Sequence, residues 1–154
     1  MLYLDTSALV KLAVAEAETR ALTESLGRDA AELFSSVIGG TEVARALHAR
    51  RLGDHARRIA HSSGRVLLFP GFVVRLAPLT PEIAHHAGTL VPGRPLRSLD
   101  ALHLATALAI GPSLTAVVTY DVRMAEAARA LGLRVTAPRG EDSPGRSANE
   151  GLAP

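Results

Sequence analysis

The chain opens with the stretch MLYLDTSALVKLA, residues 1–13, which joins a strand to the start of a helix. Leu2 to Leu4 form a short apolar run of the kind found in buried strands, and Asp5 follows directly. Thr6 and Ser7 place two hydroxyl groups beside this carboxylate. The spacing of the apolar residues over Ser7 to Ala13 predicts a helix. The stretch therefore predicts a strand that leaves the core and ends on an acid, the place where α/β sheets collect functional groups.

The rest of the chain repeats this alternation of strand-like and helical segments. We predict further strands over 32–35, 73–77, 116–119 and 133–135, and further helices over 16–26, 36–51, 54–63, 80–90, 98–110 and 123–131. Ser36, Asp54, Thr80 and Ser98 are the predicted N-caps. Residues 91–95 are predicted to form a loop. Such alternation favours an α/β sandwich with a mostly parallel central sheet.

Length and composition indicate one domain with its own core. The chain has 154 residues, of which 47% are hydrophobic, enough to fold without disulfides or a structural metal. It contains no cysteine, which excludes a thiolate nucleophile and cysteine zinc sites. We expect the domain to span residues 1–137, and the Pro-, Gly- and Ser-rich tail 138–154 to be disordered.

We also expect a soluble, cytoplasmic protein. The first residues are strand-like and carry an aspartate, so they do not resemble a signal peptide. The apolar runs are too short to predict a membrane span.

The charge pattern leaves two interpretations open. The net charge is +2, and Lys11 is the only lysine. Six arginines cluster within 45–65, a stretch that either contacts phosphates or an acidic partner, or is simply a solvated helix face. Aromatic residues make up only 3% of the chain, which argues against a base-stacking platform.

Four acids stand at the edges of apolar segments: Asp5, Glu42, Asp100 and Asp121. Taken singly, each has an ordinary explanation as a helix cap, a surface residue, a helix-dipole partner or a turn residue. If they converge, close pairs repel by about 4 kcal/mol at an effective dielectric near 20, a cost that a cation relieves. Carboxylate ligands favour Mg²⁺, or Mn²⁺ in its place, over zinc.

Together, the four segments that contain these acids match a pattern found in a known protein family. They are LDTSALVKL (4–12), TEVARAL (41–47), LDALHLATA (99–107) and VTYD (118–121). In order and spacing they resemble the acidic blocks of PIN-domain proteins, and more narrowly those of VapC-type toxins of bacterial toxin–antitoxin pairs. The resemblance covers residues 1–138; Gly39 and Gly40, just before Glu42, fit it less well because they weaken a helix start.

The resemblance implies a PIN-like three-layer α/β/α sandwich and a Mg²⁺-dependent endoribonuclease. It implies that Asp5, Glu42, Asp100 and Asp121 hold one or two metal ions. Thr119 matches a hydroxyl that accompanies the last acid, and Ser7 and Ser98 are candidates to add a ligand or to orient water. A cognate antitoxin, an RNA substrate and a homodimer are further implications.

The same residues allow other interpretations of the function and of His103. A PIN-like interaction module with weak or absent cleavage is the alternative function. His103, three residues after Asp100, is either a metal ligand or a hydrogen-bonded core histidine, and the apolar helix around it favours the second. Haloacid-dehalogenase-like phosphatases need an aspartate where Ser7 stands, and receiver domains need a late lysine that this chain lacks.

Overall fold

The structure is a computed structural model that describes residues 1–29, 31–52, 64–90 and 96–140. In the described residues the strands are β1 (Leu2–Leu4), β2 (Leu33–Ser36), β3 (Val66–Phe69), β4 (Phe72–Ala77), β5 (Ala116–Val118) and β6 (Val135–Thr136). The helices are α1 (Thr6–Ala13), α2 (Thr19–Asp29), α3 (Val37–Ala49), α4 (Pro81–Thr89), α5 (Ser98–Ala109) and α6 (Val122–Ala130), with a 3₁₀ turn at Gly111–Ser113. None of the helices in these ranges is long and apolar enough to cross a membrane.

The strands form one sheet in the order β3-β4-β2-β1-β5-β6. All neighbouring strands pair in parallel except the hairpin of β3 and β4, which is antiparallel. β1 lies inside the sheet, paired with β2 on one side and β5 on the other. The ends of β1 and β5 therefore lie side by side, and Asp5 follows the first of them.

Helices cover both faces of the sheet because side chains alternate along each strand. Leu2 and Leu4 belong to a buried cluster that includes side chains of α1, α2 and α3. Tyr3, between them, packs on the opposite face with Ala107 of α5 and Val117. The predicted three-layer α/β/α sandwich with a mostly parallel sheet is confirmed.

Within the described residues, the predicted helices and strands lie within a few residues of the observed ones, but one strand and one helix cap need correction. The strand β3 was not predicted, although the Pro70-Gly71 pair between two apolar runs is a hairpin signal; Gly71 has φ of 80° in that turn. Ser98 is not an N-cap: Arg97 occupies that position without a side-chain cap, and Ser98 is the first helical residue. The predicted helix 54–63, the loop 91–95 and most of the tail lie outside the described residues.

Gly39 has a packing role that explains its place in the first turn of α3. Ser36 caps this helix by accepting a hydrogen bond from the Gly39 N–H, as predicted. A Cβ at Gly39 would lie 2.6 Å from the Ser35 Oγ, 3.1 Å from a Leu9 methyl and 3.3 Å from the His103 Cε1. The glycine therefore allows α3 to approach α1 and α5 closely.

We expect Gly39→Ala to destabilise the fold by about 1–3 kcal/mol, the usual cost of overpacking a close contact. Gly88→Ala is the matched control, because Gly88 is also helical but has no atom within 4 Å of an added Cβ. Alanine is the better helix former, so this control should gain up to about 1 kcal/mol. Urea unfolding followed by circular dichroism measures both changes, and equal shifts would contradict the packing role of Gly39.

Candidate metal and catalytic site

The four predicted acids line one cleft at the carboxyl ends of β1 and β5. The cleft has a volume of about 450 Å³. Each acid comes from a different part of the fold: Asp5 follows β1, Glu42 lies on α3, Asp100 lies in the first turn of α5, and Asp121 precedes α6. Residues spread over more than 110 positions of the sequence are therefore brought together.

Asp5 is buried, and its carboxylate is hydrogen-bonded on both oxygens. Its Oδ1 accepts from the Ala8 N–H at 3.0 Å, which makes Asp5 the N-cap of α1, and from the Ser7 hydroxyl at 2.6 Å. Its Oδ2 accepts from the Thr119 hydroxyl at 2.5 Å. Burial nevertheless raises the pKa of Asp5, because these bonds only partly replace water around the charge. The capping role, considered above as an alternative, coexists with the place in the cleft.

Ser7 and Thr119 connect the ends of the two strands. The Ser7 hydroxyl accepts from the Tyr120 N–H at 2.8 Å while it donates to Asp5. The Thr119 hydroxyl accepts from the Asp121 N–H at 3.1 Å while it donates to the other Asp5 oxygen. The structure thus places both predicted hydroxyls against Asp5. Ser98 is exposed and is not among the residues that line the cleft.

Asp121 is the N-cap of α6. Its Oδ1 accepts from the backbone N–H groups of Arg123 at 2.8 Å and Met124 at 3.0 Å. One carboxylate oxygen is therefore fixed by the helix start. Among the described residues no hydrogen bond to the other oxygen, Oδ2, is found, so this oxygen is available to a ligand.

Asp100 is partly buried and lies near two other acids. Burial raises the pKa of its carboxyl, and the charges of Asp121 and Glu42 raise it further. The nearby Arg97 and His103 act in the opposite direction without reversing the shift. The site thus holds an unfavourable concentration of negative charge.

Glu42 is anchored through one oxygen only. Its Oε2 accepts a short hydrogen bond from the Thr6 hydroxyl and contacts the His103 Nε2 at 2.9 Å. Burial acts to raise the pKa of Glu42, but the bonds from His103 and Thr6 outweigh it and hold the pKa below its ordinary value. Of the four predicted acids, Glu42 is thus one whose neighbours favour its ionised form.

His103 also lines the cleft, and the sequence alone understated its importance. It is 3% exposed and bonded at both ring nitrogens, the second through a 2.7 Å contact between Nδ1 and the Tyr3 hydroxyl. The prediction of a hydrogen-bonded core histidine is confirmed. Its link to Glu42 was not foreseen, because no local pattern joins positions 61 residues apart.

A cationic cluster at the cleft was also missed. Lys11 Nζ lies 2.8 Å from Glu16 and 2.7 Å from Glu18, and Arg50 lies 2.7 Å from Glu16. Burial acts to lower the pKa of Lys11, but its two carboxylate partners raise it on balance. Its ammonium group also lies 4.8 Å from the ring centre of Tyr120, whose own pKa burial and Glu18 raise to about 12. Arg97 adds an exposed guanidinium on the Asp100 side.

The donor chemistry of the cleft fits a hard divalent cation. The four acids offer only oxygen atoms, and burial together with the charges of Asp121 and Glu42 raises the pKa of Asp100, so a bound cation would stabilise its ionised form. Within the described ranges, no three Asp, Glu or His side chains are already gathered around one point in metal-binding geometry. The carboxylates share a cleft. Hydroxyl groups already donate hydrogen bonds to Asp5 and Glu42, so fewer lone pairs of these two carboxylates are available to a metal ion.

We expect Asp100→Asn to raise the melting temperature of the metal-free protein at neutral pH. The raised pKa means that the charged form of this carboxyl is less favourable in the folded chain than in the unfolded one. The protonated form therefore contributes to stability at low pH, and this contribution is lost as the pH rises through the folded pKa. The gain from asparagine should disappear below about pH 4, where the ordinary aspartate is protonated in both states. Scanning calorimetry in EDTA across this range measures the effect.

Glu82→Gln is the matched control for this prediction. Glu82 also lies in the first turn of a helix, α4, but a hydrogen bond with Thr80 lowers the pKa of its carboxyl. Its amide variant should therefore be slightly less stable than the parent at neutral pH. If both variants shift in the same direction, charge repulsion at Asp100 is not the cause.

The sequence of the chain matches that of a known protein family. Residues 2–130 match the PIN domain family, and the chain belongs to that family. The predicted resemblance is confirmed.

Curated relatives narrow the comparison. The chain is 42% identical over 137 residues to Ribonuclease VapC46 of Mycobacterium tuberculosis H37Rv, covering 89% of this chain and 97% of the relative. It is 37% identical over 144 residues to Ribonuclease VapC47 of Mycobacterium tuberculosis CDC 1551, covering 90% and 97%. The chain therefore resembles VapC ribonucleases over nearly their whole length.

Two solved structures share the fold. The crystal structure of Mycobacterium tuberculosis VapC20, described as a Sarcin-Ricin loop cleaving toxin, matches with a TM-score of 0.65 and 19% identity, covering 90% of this chain and all of the other. FitAcB from Neisseria gonorrhoeae matches with a TM-score of 0.65 and 20% identity, covering 90% and 98%. At these identities the likeness concerns the fold alone.

Proposed function

We propose that this chain is a Mg²⁺-dependent endoribonuclease, the toxin of a toxin–antitoxin pair. The observation that carries the proposal is the convergence of Asp5, Glu42, Asp100 and Asp121 on one cleft. Membership of the PIN domain family and likeness to VapC ribonucleases support the reaction class. The reaction is hydrolysis of an RNA phosphodiester bond by water that the metal activates.

When held by these acids, Mg²⁺, or Mn²⁺ in its place, would lower the pKa of water and stabilise negative charge on the phosphate. Asp5 and Asp121 would hold it directly, since both lie at strand ends with one face of the carboxylate fixed by a helix start. Glu42 and Asp100 would act directly or through water, and one of them would take the proton from the attacking water. Ser7 and Thr119 keep Asp5 in place through their hydroxyls.

The cations of the cleft suit an RNA backbone. Arg97 is exposed beside Asp100, and Arg50 is exposed at the end of α3 although one of its nitrogens contacts Glu16. Guanidinium groups bind phosphate in a fork geometry. In the proposed complex they hold phosphates next to the bond that is cut, while the acids act through the metal.

We expect Asp5→Asn and Asp121→Asn to lose RNA cleavage by about 100-fold or more, because even an outer partner of a metal ligand is commonly worth roughly 10- to 100-fold. The fold should survive, since asparagine also caps helices. Glu24→Gln is the control: this exposed acid pairs with Arg20 on α2 and does not line the cleft. Cleavage of total RNA in Mg²⁺, read on a gel, is the measurement. Full activity in both site variants would disprove the site assignment, whereas a parent protein that cuts no RNA would favour the alternative, an interaction module without cleavage.

We expect Mg²⁺ or Mn²⁺ to raise the melting temperature of the parent protein. At a concentration about 100 times the dissociation constant the gain is about 2.7 kcal/mol, which corresponds to roughly 5–10 °C for a domain of this size. Asp100→Asn should show little of this gain. Sodium chloride at matched ionic strength separates site binding from charge screening. An equal rise in the parent and in Asp100→Asn would exclude Asp100 from the site.

The proposal includes an antitoxin partner and a homodimer. Support for the antitoxin is the likeness to VapC proteins. Co-expression with a small protein encoded by the adjacent gene, followed by light scattering of the purified material, tests both assemblies. A chain that stays monomeric and captures no such protein would remove both from the proposal.

A further inference from the structure

A chain of buried side chains runs from the core of the sheet to Glu42. Tyr3 of β1 is fully buried, and its hydroxyl lies 2.7 Å from the Nδ1 of His103. The two rings meet edge to face, with centres 5.9 Å apart and planes at 74°. On the other side of the imidazole, Nε2 lies 2.9 Å from the Glu42 Oε2. Tyr3 itself does not line the cleft.

The chemistry of these groups fixes the direction of the hydrogen bonds. An ionised carboxylate only accepts, so the proton between His103 and Glu42 belongs to Nε2. In a neutral imidazole the other nitrogen is then an acceptor, and the Tyr3 hydroxyl is its donor. The carboxylate of Glu42 thus favours the tautomer with the proton on Nε2, and the Tyr3 hydroxyl supports this tautomer by donating to the other side of the ring.

The result is a carboxylate with one oxygen anchored and one available. The Thr6 hydroxyl donates to the same Oε2, while no hydrogen bond to Oε1 is found among the described residues. Without these two donors Glu42 has the rotational freedom of a side chain on a helix surface. Partners of this kind orient metal ligands and set their basicity.

We propose that Tyr3 and His103 are positioning residues that hold the Glu42 carboxylate in the orientation that binds the divalent cation. The inference rests on the proposed function in taking Glu42 as a member of the metal site. Two hydrogen bonds, through His103, link Tyr3 to Glu42, and neither Tyr3 nor His103 needs to touch the metal or the RNA.

The test measures metal binding in the absence of RNA, with Mn²⁺ as the probe. Isothermal titration of the full chain should give a Mn²⁺ dissociation constant about tenfold higher in Tyr3→Phe and at least as much higher in His103→Asn, within the range known for lost partners of metal ligands. His103→Gln should recover part of the loss, because its amide nitrogen reaches nearly as far as Nε2. The RNA KM at saturating Mn²⁺ should stay within about twofold of the parent, because the proposed role acts through the metal ion and not through contacts with RNA; this ratio is worth about 0.4 kcal/mol.

Val74→Ala is the stability control. Val74 is fully buried in β4, outside the cleft, and its truncation should lower the melting temperature without changing the Mn²⁺ dissociation constant. A purely structural role for Tyr3 and His103 predicts the same outcome for their variants. Unchanged Mn²⁺ affinity in both Tyr3→Phe and His103→Asn would therefore overturn the inference.

A second measurement reads the network directly. Nitrogen-15 spectra of the imidazoles should show His103 with its proton on Nε2 in the parent, and a changed Nδ1 chemical shift in Tyr3→Phe, which lacks the donor hydroxyl. A proton on Nδ1 in the parent would overturn the inference. A parent that binds Mn²⁺ but cuts no RNA would refute the proposed function and leave the positioning role standing, so the two failures are distinguishable.

Discussion

The buried carboxylate of Asp5 is held by hydrogen bonds from two directions, and much of the architecture follows from satisfying it. Burial of a charge without partners costs several kcal/mol. The donors are the Ala8 N–H and Ser7 hydroxyl at the start of α1, and the Thr119 hydroxyl beyond β5. The direction in which α1 leaves the sheet and the alignment of the ends of β1 and β5 are therefore set by the same group that lines the cleft.

The charge distribution around the cleft explains why its acids stay uncompensated. Lys11, the only lysine, is paired with Glu16 and Glu18, so its charge is already balanced at the edge of the site. Arg97 acts against burial and the neighbouring acids at Asp100 only in part, because the pKa of that carboxyl remains raised. The proposed function assigns a cation from solution to Asp100 and Asp121, whereas the paired Lys11 links the helices around the cleft.

The parts of the site that follow strands were predictable from the sequence. Asp5 and Asp121 come after apolar strands, and adjacent parallel strands bring such residues to one edge. Glu42 lies on a helix. The periodicity of that helix indicates that Val43 and Leu47 are buried, but it does not show that Glu42 belongs to the site. Its place in the site came from the family resemblance, and the cleft contains it.

The sequence could not supply contacts between distant positions or caps to the nearest residue. Tyr3 and His103 are 100 positions apart, and nothing in either local pattern links them. Ser98 was predicted as a cap from the preference of serine for that position, but the helix begins at Ser98 itself, one residue early, so its hydroxyl does not cap. The strand β3 was overlooked because its short apolar run lacks the alternation that marks a half-buried strand.

Gly39 shows how packing and site geometry constrain each other. A glycine near a helix start costs up to about 1 kcal/mol relative to alanine, which is why it seemed out of place in the sequence. The missing Cβ leaves room for the His103 Cε1, the carbon between the two ring nitrogens that bond Tyr3 and Glu42. Glu42 lies three residues further on, so it shares the side of α3 that Gly39 presents to the imidazole. Glycine at position 39 thus lowers the helix propensity, but it permits the close approach that brings Glu42 within hydrogen-bond distance of His103.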